Sequence, residues 1–86
     1  PPGVEAQTRR VMDNLGIVLG GLGLSWSDVV QCRCYLPAFE RDFDAFNGVY
    51  ASYFASDRRP ARTTIGVTAL AVGALVEVDC IAWRPA

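Results

Sequence analysis

Val29-Val30-Gln31-Cys32-Arg33-Cys34-Tyr35-Leu36 alternates apolar with mixed residues, and Pro37 stops it. Strand side chains point to opposite faces in turn, so this stretch reads as a strand with one apolar face of Val30, Cys32, Cys34 and Leu36. Val29, Gln31, Arg33 and Tyr35 fall on the other face. Two further stretches alternate downstream. Ala61 to Thr68 carries Thr63, Ile65 and Val67 against Arg62, Thr64, Gly66 and Thr68. Leu75 to Trp83 sets Val76, Val78, Cys80 and Ala82 against Glu77, Asp79, Ile81 and Trp83. A turn at Ala71 to Ala74 separates them.

The segments around the first strand have helical spacing. Val4, Val11, Leu15, Val18 and Leu22 step by seven, four, three and four, which predicts an amphipathic helix from Val4 to about Leu22. Glu5 has the sign that suits its N-terminal dipole. Gly23 follows as a C′ glycine. Gly16 and Gly20, four apart, suggest close approach to a sheet. Ser25-Trp26-Ser27-Asp28 has the spacing of a capping box. A second helix is expected from about Asp42 to Phe54, where Phe39, Phe43, Phe46, Tyr50 and Tyr53 or Phe54 recur at four, three, four and three or four; that stripe reads as core packing. The order helix, strand, helix, strand, strand gives an α+β domain, a mixed sheet covered on one face by two helices. The free face would then show Arg33, Tyr35, Glu77, Asp79, Ile81 and Trp83. Aromatics beside charges on an uncovered sheet resemble a subunit interface.

Composition narrows the chemistry. The chain has 86 residues, enough for a single domain over 1–86. Eight basic residues oppose nine acidic ones, which argues against a nucleic-acid footprint. No apolar stretch is long enough for a membrane span. There is no His, so Ser-His-Asp and Cys-His triads and the usual zinc sites are absent. All basic residues are Arg, so lysine Schiff-base chemistry is absent too. Three Cys is an odd number, consistent with a reducing, cytoplasmic setting. Cys32, Cys34 and Cys80 sit on apolar faces and read as small core hydrophobes. A chain of this size gains most of its stability from a tight core or from other subunits, so an oligomer is expected.

Few side chains remain for chemistry. Arg62 opens a strand just after Pro60, and its planar, permanently charged fork suits a carboxylate; the competing reading pairs it with Asp57, Glu77 or Asp79. Glu77 and Asp79 share one strand face, about 7 Å apart. Either carboxylate suits a general base for water or an interface ion pair. Pro1 invites comparison with N-terminal proline bases, but Pro1-Pro2-Gly3 leads into a helix where those begin a strand.

Read in order, Val4-Glu5-Ala6-Gln7-Thr8-Arg9-Arg10, Gly23-Leu24-Ser25, Phe43-Asp44-Ala45-Phe46-Asn47-Gly48-Val49-Tyr50, Pro60-Ala61-Arg62-Thr63-Thr64 and Gly73-Ala74-Leu75-Val76-Glu77-Val78-Asp79 resemble the Rid/YjgF family over nearly the whole chain. The resemblance implies a chorismate-mutase-like fold, a homotrimer, and sites in clefts between subunits. It implies enamine/imine deaminase activity: hydrolysis of 2-imino acids to 2-keto acids and ammonia, with no metal and no organic cofactor. By the same resemblance Arg62 holds the substrate carboxylate, Glu77 positions or activates water, and Thr64 and Asn47 help shape the substrate site. Partners would be a small imino or keto acid and further copies of the chain, not nucleic acid or membrane.

Two departures from the family are expected to matter. The strand hairpin and site tyrosine that family members carry ahead of the first helix are not in this sequence, which would leave a bare sheet edge. Thr64 stands where many members have Cys, and Gly66 where a larger side chain is common, so substrate preference is expected to differ. The alternatives to a deaminase are a non-catalytic trimer that binds a small carboxylate or a partner protein in the same cleft, and an assembly element whose hairpin is supplied in trans.

Overall fold

A computed structural model of the chain describes residues 3–85. Pro1, weighed above as a base, lies outside the described residues. Helix α1 spans Val4–Gly21, strand β1 Val29–Leu36, helix α2 Phe39–Ala51, strand β2 Ala61–Gly66 and strand β3 Glu77–Ala82. Single turns of 3₁₀ helix at Trp26–Asp28 and Ala71–Gly73 precede β1 and β3. The sheet order is β2-β1-β3, with β2 parallel and β3 antiparallel to the central strand. The parallel pair requires a crossover, and α2 supplies it. Both helices lie on one face, α1 over β3 and α2 over β1, and pack against each other. The expected α+β architecture is therefore present.

The first helix buries a different stripe from the one its spacing suggested. Val4, Thr8, Met12 and Leu19 are buried, with Val11 and Leu15 at the margin of the core. Val18 is 58% and Leu22 69% exposed. Ile17, Val18 and Leu19 are consecutive, and a helix can turn only one of three such residues fully inward. Leu19 keeps step with Val4, Thr8 and Met12, so it is the one buried. The helix ends as expected. Gly23 has φ +74°, Leu24 N–H donates to the Leu19 carbonyl and Gly23 N–H to the Gly20 carbonyl, the Schellman pattern.

The paired glycines do not meet the sheet. A Cβ on Gly16 would lie 3.4 Å from the Trp26 indole nitrogen, and one on Gly20 would meet nothing. Gly16 thus makes room for Trp26, whose ring packs edge-on against Tyr53 and Phe54. The capping turn forms: Ser25 N–H donates to the Asp28 carboxylate at 2.9 Å. Arg84 clamps the same carboxylate at 2.6 Å and reaches the Gly23 carbonyl at 2.7 Å.

Strand β1 carries a bulge. Val29 is opposite Ala82 while Gln31 is opposite Ile81, so Val30 is an extra residue. Val29 therefore turns inward, Val30 turns out at 48% exposure, and the expected alternation resumes at Cys32, Cys34 and Leu36, all fully buried. Val76, just before β3, and Val78 on it are buried, and Cys80 and Ala82 are half-buried, on the side expected. Helix α2 begins three residues before the expected start and stops at Ala51, but the aromatic stripe does fill the core through Phe46, Tyr50 and Phe54. Fully burying one such ring contributes about 1.5–3 kcal/mol. The face of the sheet away from the helices is bare in the single chain: Ile65 is 43%, Ile81 55% and, just past β3, Trp83 65% exposed.

Candidate functional site

Register on the sheet places the polar residues. Arg62 on β2, Cys32 on β1 and Cys80 on β3 stand in one row, and Thr64, Cys34 and Val78 in the next. Because Cys32 and Cys34 face the helices, Arg62 and Thr64 face them too. Helix α2 receives Arg62 with Phe43, Asn47 and Tyr50, which share one helical face at spacings of four and three. The guanidinium donates to the Asn47 side-chain oxygen. Its carbon lies 4.8 Å from the Tyr50 ring centre and 5.8 Å from that of Phe43. Aromatic faces attract a cation and orient the planar group without neutralising it. The pairing of Arg62 with Asp57, Glu77 or Asp79 is not made.

A cavity of about 260 Å³ opens beside this arginine, lined by Asn47, Tyr50, Phe54, Arg59, Pro60 and Arg62. The Tyr50 and Thr64 hydroxyls are buried without an ordinary hydrogen-bond partner. Each is set beside a sulfur, of Cys32 and Cys34 respectively, which is a weak acceptor. Cys32 is pushed down to about 7, chiefly by the Cys80 thiol hydrogen-bonding to it. Burial pushes Cys34 up to about 11. Both are fully buried and pack in the core, as expected. Among the described residues no three potential metal ligands converge.

The two carboxylates of β3 project the other way. Asp79, opposite Arg33, accepts from that guanidinium at 2.9 Å and from the Tyr35 hydroxyl at 3.3 Å. Its lone pairs are committed to structure. Glu77, opposite Tyr35, is exposed and takes part in none of the ion pairs among the described residues. The chain thus brings together Arg62 and Asn47, sets Thr64 one row along the same face but outside the cavity lining, and leaves Glu77 on the bare face. The reading of the sequence missed Tyr50 and Phe43 as the floor under Arg62, and Arg59 as a cavity residue. The i, i+4, i+7 placement of Phe43, Asn47 and Tyr50 was the signal for the first two; nothing local marked Arg59.

Comparison with known proteins follows the same residues. The family model described as Endoribonuclease L-PSP matches residues 1–84. A RutC family protein of Synechocystis is 40% identical over 82 residues, 95% of this chain and 62% of that protein. A goat protein named 2-iminobutanoate/2-iminopropanoate deaminase is 38% identical over 82 residues, 95% of this chain and 58% of its own length. The crystal structure of the E. coli YjgF gene product superposes with a TM-score of 0.89 at 28% identity, covering 99% of this chain and 68% of that one. The chain therefore spans about three-fifths of the length of the curated relatives it matches.

Proposed function

This chain belongs to the Rid/YjgF family, matched by the Endoribonuclease L-PSP model, and from that membership we propose that it hydrolyses 2-imino acids, or their enamine tautomers, to 2-keto acids and ammonia. The observation that carries the reading is Arg62: a guanidinium with no acidic partner among the described residues, set by Asn47 and the Tyr50 ring beside a small cavity. Such a fork takes a carboxylate through paired N–H donors. The name of the goat relative supports an imine as the rest of the substrate.

The chemistry asks little more of the protein. A protonated imine carbon is already electrophilic. Water adds to it, a carboxylate takes the water's proton, and a carbinolamine forms. The proton passes from that carboxylic acid to nitrogen, ammonia leaves as the carbinolamine hydroxyl gives its proton back to the carboxylate, and the carbonyl remains. Holding the substrate and one water in place supplies the rate. Of the two β3 carboxylates Glu77 is the one outside the ion pairs among the described residues, but it stands on the sheet face away from Arg62. We therefore propose that Arg62 of one protomer works with Glu77 of the partner subunit, in a cleft of a homotrimer whose bare sheet faces pack together. The exposed Ile65, Ile81 and Trp83 support that packing.

A second reading has an observation in its favour. A lone protomer holds the carboxylate receptor without the acid, which is what a non-catalytic binding module needs. One assay separates the two. An amino-acid oxidase generates 2-iminobutanoate, and its decay is followed with and without the protein. Acceleration that disappears in Arg62→Ala supports the deaminase. A decay equal to the spontaneous rate at high protein concentration, with Arg62-dependent binding of 2-oxobutanoate, supports the binding module.

A further inference from the structure

A second arginine lines the cavity beside Arg62. Arg59, three residues upstream in the loop before β2, lines it together with Arg62. The ion pairs among the described residues are Arg33–Asp79, Arg41–Asp42 and Arg84–Asp28. Neither cavity arginine belongs to them, and Asp57 in the same loop does not either. Arg62 spends one donor on Asn47, a neutral amide that accepts without cancelling charge. Two arginines therefore line one concave space, and neither is in an ion pair among the described residues. Like charges so placed repel, and a bound anion relieves both at once.

An ordinary 2-imino acid carries one carboxylate, which Arg62 takes. Arg59 is then left over, and the walls between the two arginines are partly apolar, from Tyr50 and Phe54. The space, about 260 Å³, is smaller than the ~300–1,000 Å³ of drug-sized sites. It suits a short carbon chain with an anion at each end. We infer that the cavity selects imino acids bearing a second carboxylate on the side chain, Arg62 holding the carboxylate next to the imine and Arg59 the distal one. The assignment deepens the deaminase reading and rests on it for the imine; the binding of the dianion does not depend on turnover. Arg59 is a specificity-determining residue and takes no part in the bond changes.

Two ligands of four carbons isolate the distal group: oxaloacetate and 2-oxobutanoate, the keto acids from 2-iminosuccinate and 2-iminobutanoate. Their affinities are measured by calorimetry at about 0.15 M salt, where long-range attraction is screened. The expected result is tighter binding of oxaloacetate, with the preference reduced about two- to fivefold in Arg59→Gln, the range for a solvent-accessible charged contact. Arg58→Gln, a neighbouring charge outside the cavity lining, is expected to keep the preference. Equal affinity for the two acids, or a preference that survives Arg59→Gln, overturns the inference. A preference lost equally in Arg58→Gln overturns it too, since that marks loop charge and not the cavity. Hydrolysis of both imines is followed in parallel. If neither is hydrolysed while the Arg59-dependent preference remains, the deaminase reading fails and the dianion pocket stands.

Discussion

Arg62 and Glu77 occupy the two edge strands of one sheet, the arginine turned toward the helices and the glutamate toward the bare face. No side-chain rotation within one protomer brings them to a common substrate, because β1 and the thickness of the sheet lie between. If the reaction needs both, each site draws on two copies of the chain.

Subunit mixing tests that relation. Arg62→Ala and Glu77→Gln are each expected to lack activity alone. Refolded together in equal amounts as trimers, they regain about one quarter of the wild-type rate, the fraction of interfaces pairing an intact arginine with an intact glutamate. Iminium decay reads the result. No recovery on mixing, with mixed trimers shown by mass spectrometry, places both groups in one subunit's site and sinks the arrangement.

The shape of the cation matters as much as its charge. Arg62→Lys keeps the charge but loses the planar fork that Asn47 and Tyr50 hold. Its kcat/KM on 2-iminobutanoate is expected to fall about tenfold, ~1.4 kcal/mol, against about a hundredfold or more for Arg62→Ala. Equal losses in the two variants contradict a forked contact.

Val72 stores strain on the surface. It adopts φ +53° and its side chain is wholly exposed. A β-branched residue in the left-handed region costs roughly 1–2 kcal/mol. Asn tolerates that region, so Val72→Asn is expected to stabilise by about 1 kcal/mol, a rise in Tm of roughly 4–8 °C. Urea and thermal unfolding check it. An unchanged midpoint means the turn carries no such strain.

Acid unfolding should report on the turn before β1. The Arg84 guanidinium, then the Ser25 N–H, holds the Asp28 carboxyl below its ordinary value. A group depressed in the folded state stabilises above its unfolded value, near 3.9, and loses that contribution as pH falls through the folded one. The urea midpoint is therefore expected to fall as pH drops below about 4, and Asp28→Asn to flatten that part of the profile. A variant profile parallel to the wild type removes Asp28 from the account.

The layout of elements was legible because each strand has one apolar face and each helix one stripe. The misreadings arose where local pattern underdetermines direction. Ile17-Val18-Leu19 offers three candidates for one inward position, and only the packing of Met12 and Thr8 decides among them. Val30 breaks an alternation that looks uninterrupted from Val29 to Leu36, because a bulge depends on the partner strand. The arginine was found from its residue type and its surroundings. Its separation from Glu77 was not legible, since strand order sets it and spacing along the chain does not reveal it.

Among the described strands the central one comes first in the chain. β1 is synthesised before either of its neighbours in this sheet, and β3 follows only some forty residues later. Until then the ladder on the β3 side of β1 is unfilled. Synthesis of this small domain thus passes through a stage in which its stickiest segment waits on its latest one, so slow translation after Gly66 should raise the need for chaperone cover.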